Sequence, residues 1–219
     1  MNNNSWFKKE NPLLSLQSMS GGAAGSLMQG AADKTYVDDV FSNTPWVGNM
    51  TDRDINTGLD MSGKGGLAWL YDRSGATGGW LFDTVRGYNK FIRSSDNNAE
   101  GTEATMVSGF NSTGFSLDAD GAQSDNTNYN GREYISWNFR KKEGFCDIVT
   151  YTGNGSARTV SHSLGSVPGM IIIKNLDSAE DWRVYHRSLG GTQNLVLNSD
   201  GSAAGSTSVF NQTDPTASV

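Results

Sequence analysis

Apolar and polar positions along this chain alternate with period two in short runs, and no stretch carries a sustained apolar stripe at helical spacing. The clearest run is 133–140. There Ile135, Trp137 and Phe139 fall on one face and Tyr134, Ser136 and Asn138 on the other. A charged break, Arg140-Lys141-Lys142-Glu143-Gly144, follows, and a second run then puts Phe145, Asp147, Val149 and Tyr151 on one face. The same reading predicts strands over 67–71, 79–85, 88–94, 106–110 and 115–118, and later over 145–152, 170–175, 181–187 and 194–198. Asn154-Gly155, Pro168-Gly169 and Asp200-Gly201 supply turns between them. The pattern predicts an all-β fold, a sandwich of jelly-roll type with little helix.

The pattern also repeats. Trp46-Val47-Gly48-Asn49 aligns with Tyr151-Thr152-Gly153-Asn154, and Ile55 to Leu59 with Val160 to Leu164, both at an offset of 105. Gly66 to Leu70 aligns with Gly169 to Ile173 at 103, Trp80 to Phe82 with Trp182 to Val184 at 102, and Phe91 to Asp96 with Leu195 to Asp200 at 104. Phe110-Asn111 aligns with Phe210-Asn211 at 100. The period is too long for a solenoid unit and suits tandem domains. The organisation expected is an irregular N-terminal arm over 1–34, a first β-sandwich over 35–143, and a second, incomplete copy over 144–219. A counterpart of the Tyr134 strand would fall beyond Val219. The expectation is a longer chain, or a strand added from another chain.

Composition narrows the function. Charged residues are 18% of the chain and the net charge is −6, which argues against a broad nucleic-acid footprint. No apolar run approaches the ~18 residues of a membrane span, and the N-terminus lacks the apolar core of a secretory signal. The single cysteine, Cys146, forms no intrachain disulfide and sits in an apolar pattern, as a small buried residue would.

Candidate chemistry is sparse. His162 and His186 are the only histidines, and with one cysteine they do not make an ordinary structural zinc site. Asp118-Ala119-Asp120-Gly121 begins like a calcium loop but lacks its closing ligands, and Gly63-Lys64-Gly65-Gly66 is not a phosphate loop. The expectation is no enzyme, no cofactor and no metal. Trp69, Trp80, Trp137 and Trp182 would form a sugar-stacking platform if exposed together. The matching positions of Trp80 and Trp182 favour a duplicated core anchor instead.

Residues 1–34 differ from the rest. Trp6 and Phe7 are followed by Lys8-Lys9, Leu13, Leu14 and Leu16 form a short apolar group, and Ser20 to Gly30 is built from small residues. Such a segment cannot bury enough surface to fold alone. It reads as an arm that orders against a partner. Trp6, Phe7, Leu13, Leu14 and Leu16 would be its anchors, and Gly21, Gly22 and Gly25 would permit close backbone approach.

Several motifs carry a resemblance. They are Tyr36-Val37-Asp38-Asp39-Val40-Phe41, Leu81-Phe82-Asp83-Thr84-Val85-Arg86-Gly87, Phe110-Asn111-Ser112-Thr113-Gly114-Phe115 and Tyr134-Ile135-Ser136-Trp137-Asn138-Phe139-Arg140. Later come Tyr151-Thr152-Gly153-Asn154-Gly155-Ser156, Leu164-Gly165-Ser166-Val167-Pro168-Gly169 and Asp181-Trp182-Arg183-Val184-Tyr185-His186. As a set they resemble a domain of bacteriophage virion proteins, recurrent in marine and cyanobacterial phages and often in tandem in tail-fibre-like and other structural proteins. The resemblance implies a virion structural protein, the tail-proximal part of a tail fibre, whose arm attaches to the adaptor or nozzle region of the tail. It implies a homo-oligomer, a trimer by analogy with fibres, and supplies no catalytic residue. The alternatives are a capsid decoration protein and a carbohydrate-binding module for host-surface glycans.

Overall fold

The structure is a computed structural model that describes residues 34–75, 78–118, 126–205 and 208–219. The chain divides into two units, Met1–Lys34 and Thr35–Val219. The first unit, apart from Lys34, lies outside the described residues, and with it the arm expected over 1–34.

The second unit is all-β, as the alternation predicts. Among the described residues its strands are β1 (Phe41–Val47), β2 (Arg53–Asn56), β3 (Gly66–Asp72), β4 (Trp80–Asp83), β5 (Gly87–Arg93), β6 (Gly101–Thr102), β7 (Val107–Asn111), β8 (Gly114–Leu117), β9 (Glu133–Arg140), β10 (Met170–Ile173), β11 (Arg183–His186), β12 (Gln193–Val196) and β13 (Ala204–Gly205). All pairs are antiparallel, in sheets ordered β1-β9-β3-β4-β5-β6, β2-β8-β7 and β10-β11-β12-β13. Among the described residues the named helical elements are one α-turn, Met61–Lys64, and one 3-10 turn, Val37–Asp39.

β9 lies between β1 and β3 and pairs with both along most of its length, from Phe41↔Phe139 to Val47↔Glu133 and from Gly66↔Arg140 to Asp72↔Tyr134. The two faces of β9 fall as the alternation predicts, but their burial does not follow residue polarity. Tyr134, Ser136 and Asn138 are fully buried, whereas Ile135, Trp137 and Phe139 are only half-buried. The polar face is tolerated inside because most of it is hydrogen-bonded. Tyr134 accepts at its hydroxyl from the Tyr129 N–H (3.0 Å), and Asn138 Nδ2 donates to Ser136 Oγ (3.0 Å) and to Ser42 (3.3 and 3.4 Å). Tyr134 also stacks on Trp46 with ring centroids 5.4 Å apart.

On that buried side the six-stranded sheet meets the β2-β8-β7 sheet. Trp46, Ala68, Leu70, Trp80, Phe82 and Tyr134 of the first pack on Ile55, Val107, Phe115 and Leu117 of the second, with Met106 beside them. Each such large side chain contributes about 1.5–3 kcal/mol through its burial. The sandwich is therefore a product of residues before 144.

The later strands form a different object. β10-β11-β12-β13 repeats the antiparallel order of β3-β4-β5-β6. The pair Leu81↔Ile92 has its counterpart in Arg183↔Val196, at the sequence offsets of 102 and 104. The second meander does not enclose a core of its own size. Of the buried hydrophobic residues described, only Trp182, Val184 and Tyr185 lie beyond 143. Trp182 packs with Leu81 and Ile92 of β4 and β5, and Leu67, Trp69, Leu176 and Leu197 surround them. It forms the seam by which the second meander leans on the outer face of the first sheet.

Two expectations need correction. The strand expected over 145–152 does not form. Only an isolated bridge, Lys142↔Cys146, stands at its start. The physical cause is Asp147, whose carboxylate accepts from Ile148 N–H (2.9 Å) and Ser163 N–H (2.7 Å) and so replaces a ladder with local side-chain bonds. Conversely, β1 and β2 carry Pro45, Arg53 and Asp54 and show too little apolar alternation to be read from sequence.

Candidate functional site

The sequence motifs resolve first into fold-holding devices. In the β4–β5 turn, Asp83 Oδ1 accepts from the Val85 and Arg86 N–H groups (2.9 Å each), while its Oδ2 pairs with Arg86 Nε at 2.5 Å. Arg86 is completed by Glu100 (3.1 Å) and the Leu81 carbonyl (3.1 Å). This buried guanidinium is satisfied at each nitrogen, the condition under which a buried ion pair is tolerable. In the β7–β8 turn, Asn111 Oδ1 accepts from Thr113 N–H (3.0 Å). A Cβ on Gly114 would stand 2.1 Å from the Ile55 carbonyl. The opening motif meets the β9 motif directly. Phe41 packs on Phe139 with centroids 5.1 Å apart, and Arg140 Nε donates to the Asp39 carbonyl (2.7 Å).

The residues considered for chemistry are not brought together. His162 accepts from Leu164 N–H at Nδ1 (3.2 Å) and donates from Nε2 to the Thr216 carbonyl (3.2 Å). His186 accepts from Ser188 N–H at Nδ1 (3.3 Å). Cys146 is half-buried, less than its apolar sequence context suggests. Burial, reinforced by neighbouring Asp147, pushes its thiol up to about 11, against a partial opposing pull from Lys141. Burial would raise the Asp147 carboxyl. The bonds from Ser163 and Lys141 and then Ile148 outweigh it, and the group lies below its ordinary range. The Gly63-Lys64-Gly65-Gly66 stretch closes the single helical turn, capped by Asp60. The calcium-loop reading at 118–121 lies outside the described residues beyond Asp118. Among the described residues no cluster of three metal-ligating side chains is found.

The four tryptophans separate into three roles. Trp80 is buried in the sandwich beside Phe91, with ring centroids 4.9 Å apart. Trp182 is buried at the seam, its indole N–H shared between the Arg93 and Asp96 carbonyls (3.0 Å each). Trp69 and Trp137 form a half-buried edge-to-face pair across β3 and β9, at 5.9 Å. Two of the four are thus unavailable to a common platform.

The docking residues expected on the arm, Trp6, Phe7, Leu13, Leu14, Leu16, Gly21, Gly22 and Gly25, all lie outside the described residues. What the structure does present is a surface that sequence reasoning underrated. Between β9 and β10 the chain runs through an irregular segment in which residues 149–159 are all exposed. It carries Val149 and Tyr151, the latter capped by the Arg158 guanidinium 5.7 Å above its ring. The segment leads through Val167 into β10, where Met170 and Ile172 are exposed at 57% and 36%. β10 is the outermost strand of its sheet. The repeat places β3 and β10 in equivalent positions, and β3 pairs with β9 on the side where, among the described residues, β10 has no strand partner.

The family described as a domain of unknown function (DUF7483) matches residues 37–219. No curated protein and no solved structure matches the chain.

Proposed function

This chain belongs to the DUF7483 family, and from that premise we propose that it is a structural protein of a bacteriophage virion, the tail-proximal part of a tail fibre. Its arm attaches to the tail and its β-modules build the shaft or collar as a homo-oligomer. The observation that carries this reading is the pairing of a closed, well-filled sandwich with a second meander that leaves apolar side chains and a strand edge in the open. A body of that kind gains its remaining burial through assembly. The resemblance of the motifs to virion proteins supports the same reading, and the recurring meander suits a duplicated module. In this reading the motifs serve architecture: Asp83, Arg86 and Asn111 hold turns.

The test is a phage that encodes the protein, with residues 1–34 deleted from the chain. The expected result is a folded protein, judged by circular dichroism, that is missing from purified particles. Labelling of the intact protein in virions then places it at the tail. Unchanged incorporation of the deleted chain overturns the arm as anchor. Label on the capsid shell converts the reading to a decoration protein.

A further inference from the structure

We infer that β10 is a self-pairing edge, at which a second copy of this chain adds its own β10 antiparallel across a twofold axis. The inference rests on the structural-protein reading above and adds the site and geometry of one of its contacts.

The starting point is a contrast among sheet edges. An open edge presents unpaired N–H and C=O groups and is normally blunted. β1 carries Pro45, and β2 carries Arg53 and Asp54. β6 and β13 are two residues long, and β7 is broken by a register shift between Val107 and Gly109. β10 reads Met-Ile-Ile-Ile, with no proline, charge or bulge.

The phase of its hydrogen bonding can be read from its one partner. Arg187 donates its N–H to the Gly169 carbonyl at 3.0 Å, in register with Met170↔His186. Bonded pairs alternate in an antiparallel ladder. Ile171 and Ile173 therefore bond toward β11, and Met170 and Ile172 turn their backbone groups to the open side. These are also the two residues whose side chains are exposed.

That arrangement is complementary to itself. With Ile171 opposite Ile171 of the second copy, Met170 of each chain faces Ile172 of the other, and both pairs exchange two hydrogen bonds. Exposed side chains meet exposed side chains on one face, and half-buried ones meet on the other, as the period of two requires. Lys174 falls opposite Pro168, a buried residue with no N–H to give, so the paired ladder stops at Met170 and Ile172. The two Lys174 residues lie six residues apart along the ladder, about 20 Å, beyond the screening length of physiological salt. Parallel pairing would set these like charges side by side. Four backbone bonds and a cluster of two methionines and two isoleucines then cover the open edge. The contact is twofold, so it joins copies in pairs and is separate from any threefold axis of a fibre.

The experiment uses the full chain. Sedimentation and light scattering of the wild type are compared with Ile172→Lys, which keeps the β11 ladder, and with Ile172→Pro, which removes only an outward N–H. Both are expected to halve the mass while circular dichroism is unchanged. In a Cys146→Ser background, Ile171→Cys is expected to form an interchain disulfide on mild oxidation, because the Cα atoms of residues opposite each other at a non-bonded pair approach to about 4.5 Å, within disulfide reach. An oligomer that survives Ile172→Lys and gives no cross-link overturns the self-pairing and leaves the structural-protein reading standing. Mass lost in Ile172→Lys without a cross-link means that a different strand occupies the edge, and also overturns it. A wild-type chain that is monomeric, with no cross-link, removes both.

Discussion

The halves of this molecule on either side of residue 144 contain the same four-stranded meander, β3 to β6 and β10 to β13, and put it to different use. In the first, β9 closes one edge of the meander, β1 extends the sheet, and the β2-β8-β7 sheet covers its inner face. In the second the edge is open and the buried hydrophobic residues reduce to Trp182, Val184 and Tyr185 among those described. The difference teaches that a strand order is not a domain. Hydrogen-bonded ladders set the meander, but a second layer must cover it before burial exceeds the cost of ordering the chain. The first half has that layer within the chain, and the second borrows part of it from the outer face of the first through Trp182.

The comparison breaks most readily at Arg86. Replacing it with Leu strips the buried Asp83 of its partner, and the expected loss is about 3–5 kcal/mol. Because the β4–β5 turn supports the closed half, unfolding should take the whole of 35–219 with it, as a single urea transition at a lower midpoint. Two separate transitions would show that the halves are less coupled than the seam implies.

Trp182→Ala sharpens the same point from the other side. It removes the seam and two indole hydrogen bonds, at an expected cost of about 3 kcal/mol. Hydrogen exchange should show protection lost in β10 to β13 and kept in β3 and β9. Uniform loss would make the seam part of the main core. Trp80→Ala, by contrast, opens a cavity in the sandwich and should reduce protection throughout.

A smaller effect is expected at Gly114→Ala, which forces a methyl group toward the Ile55 carbonyl and strains the β2–β8 contact by about 1–3 kcal/mol. The open half has turns that should not react this way. At Gly155, where φ is +73°, a Cβ meets nothing within 4 Å, and alanine there carries only the backbone penalty of about 1 kcal/mol. Thermal denaturation of the two variants side by side tests the contrast in packing.

The smallest effects concern pH. The Asp147 carboxyl is held below its ordinary range, so the folded state favours the charged form. Its contribution is present above the unfolded value of about 3.9 and is lost as pH falls through the lower folded value. Acid should therefore loosen the Ser163 contact, and Asp147→Ala should abolish that part of the pH dependence. At the alkaline end Cys146, raised to about 11, favours the protonated form in the folded chain. Its contribution is present below the unfolded value of about 8.5 and is lost as pH rises through the folded value. A thiol reagent at pH 8 should label Cys146 slowly in the native protein and rapidly after denaturation.

How much of this was legible beforehand can be seen in particular residues. The extent of β9 was readable to the residue, because alternation over Glu133–Arg140 is long and bounded by a charged break. Which face of β9 is buried was not. The alternation separates the two faces without saying which is covered; burial is decided by the layer that arrives from β2, β7 and β8, and that layer sits on the side of Tyr134, Ser136 and Asn138. The runs read over 170–175, 181–187 and 194–198 each contain or overlap a strand, Met170–Ile173, Arg183–His186 and Gln193–Val196. The failure of 145–152 to pair was not readable, since it depends on the Asp147 carboxylate meeting the Ser163 N–H, which lies beyond the run itself.

The chain by itself thus determined local conformation: period two, turn dipeptides such as Asn154-Gly155 and Pro168-Gly169, the absence of a helical stripe, and the approximate places of most strands. These follow from interactions between residues near one another in sequence, which the sequence displays. Only the tertiary structure decided that Trp80 lies inside the sandwich while Trp182 joins the halves, and that β10 ends its sheet without a further strand among the described residues. Those outcomes depend on which surfaces meet across distant parts of the chain, a property of packing that no local pattern encodes.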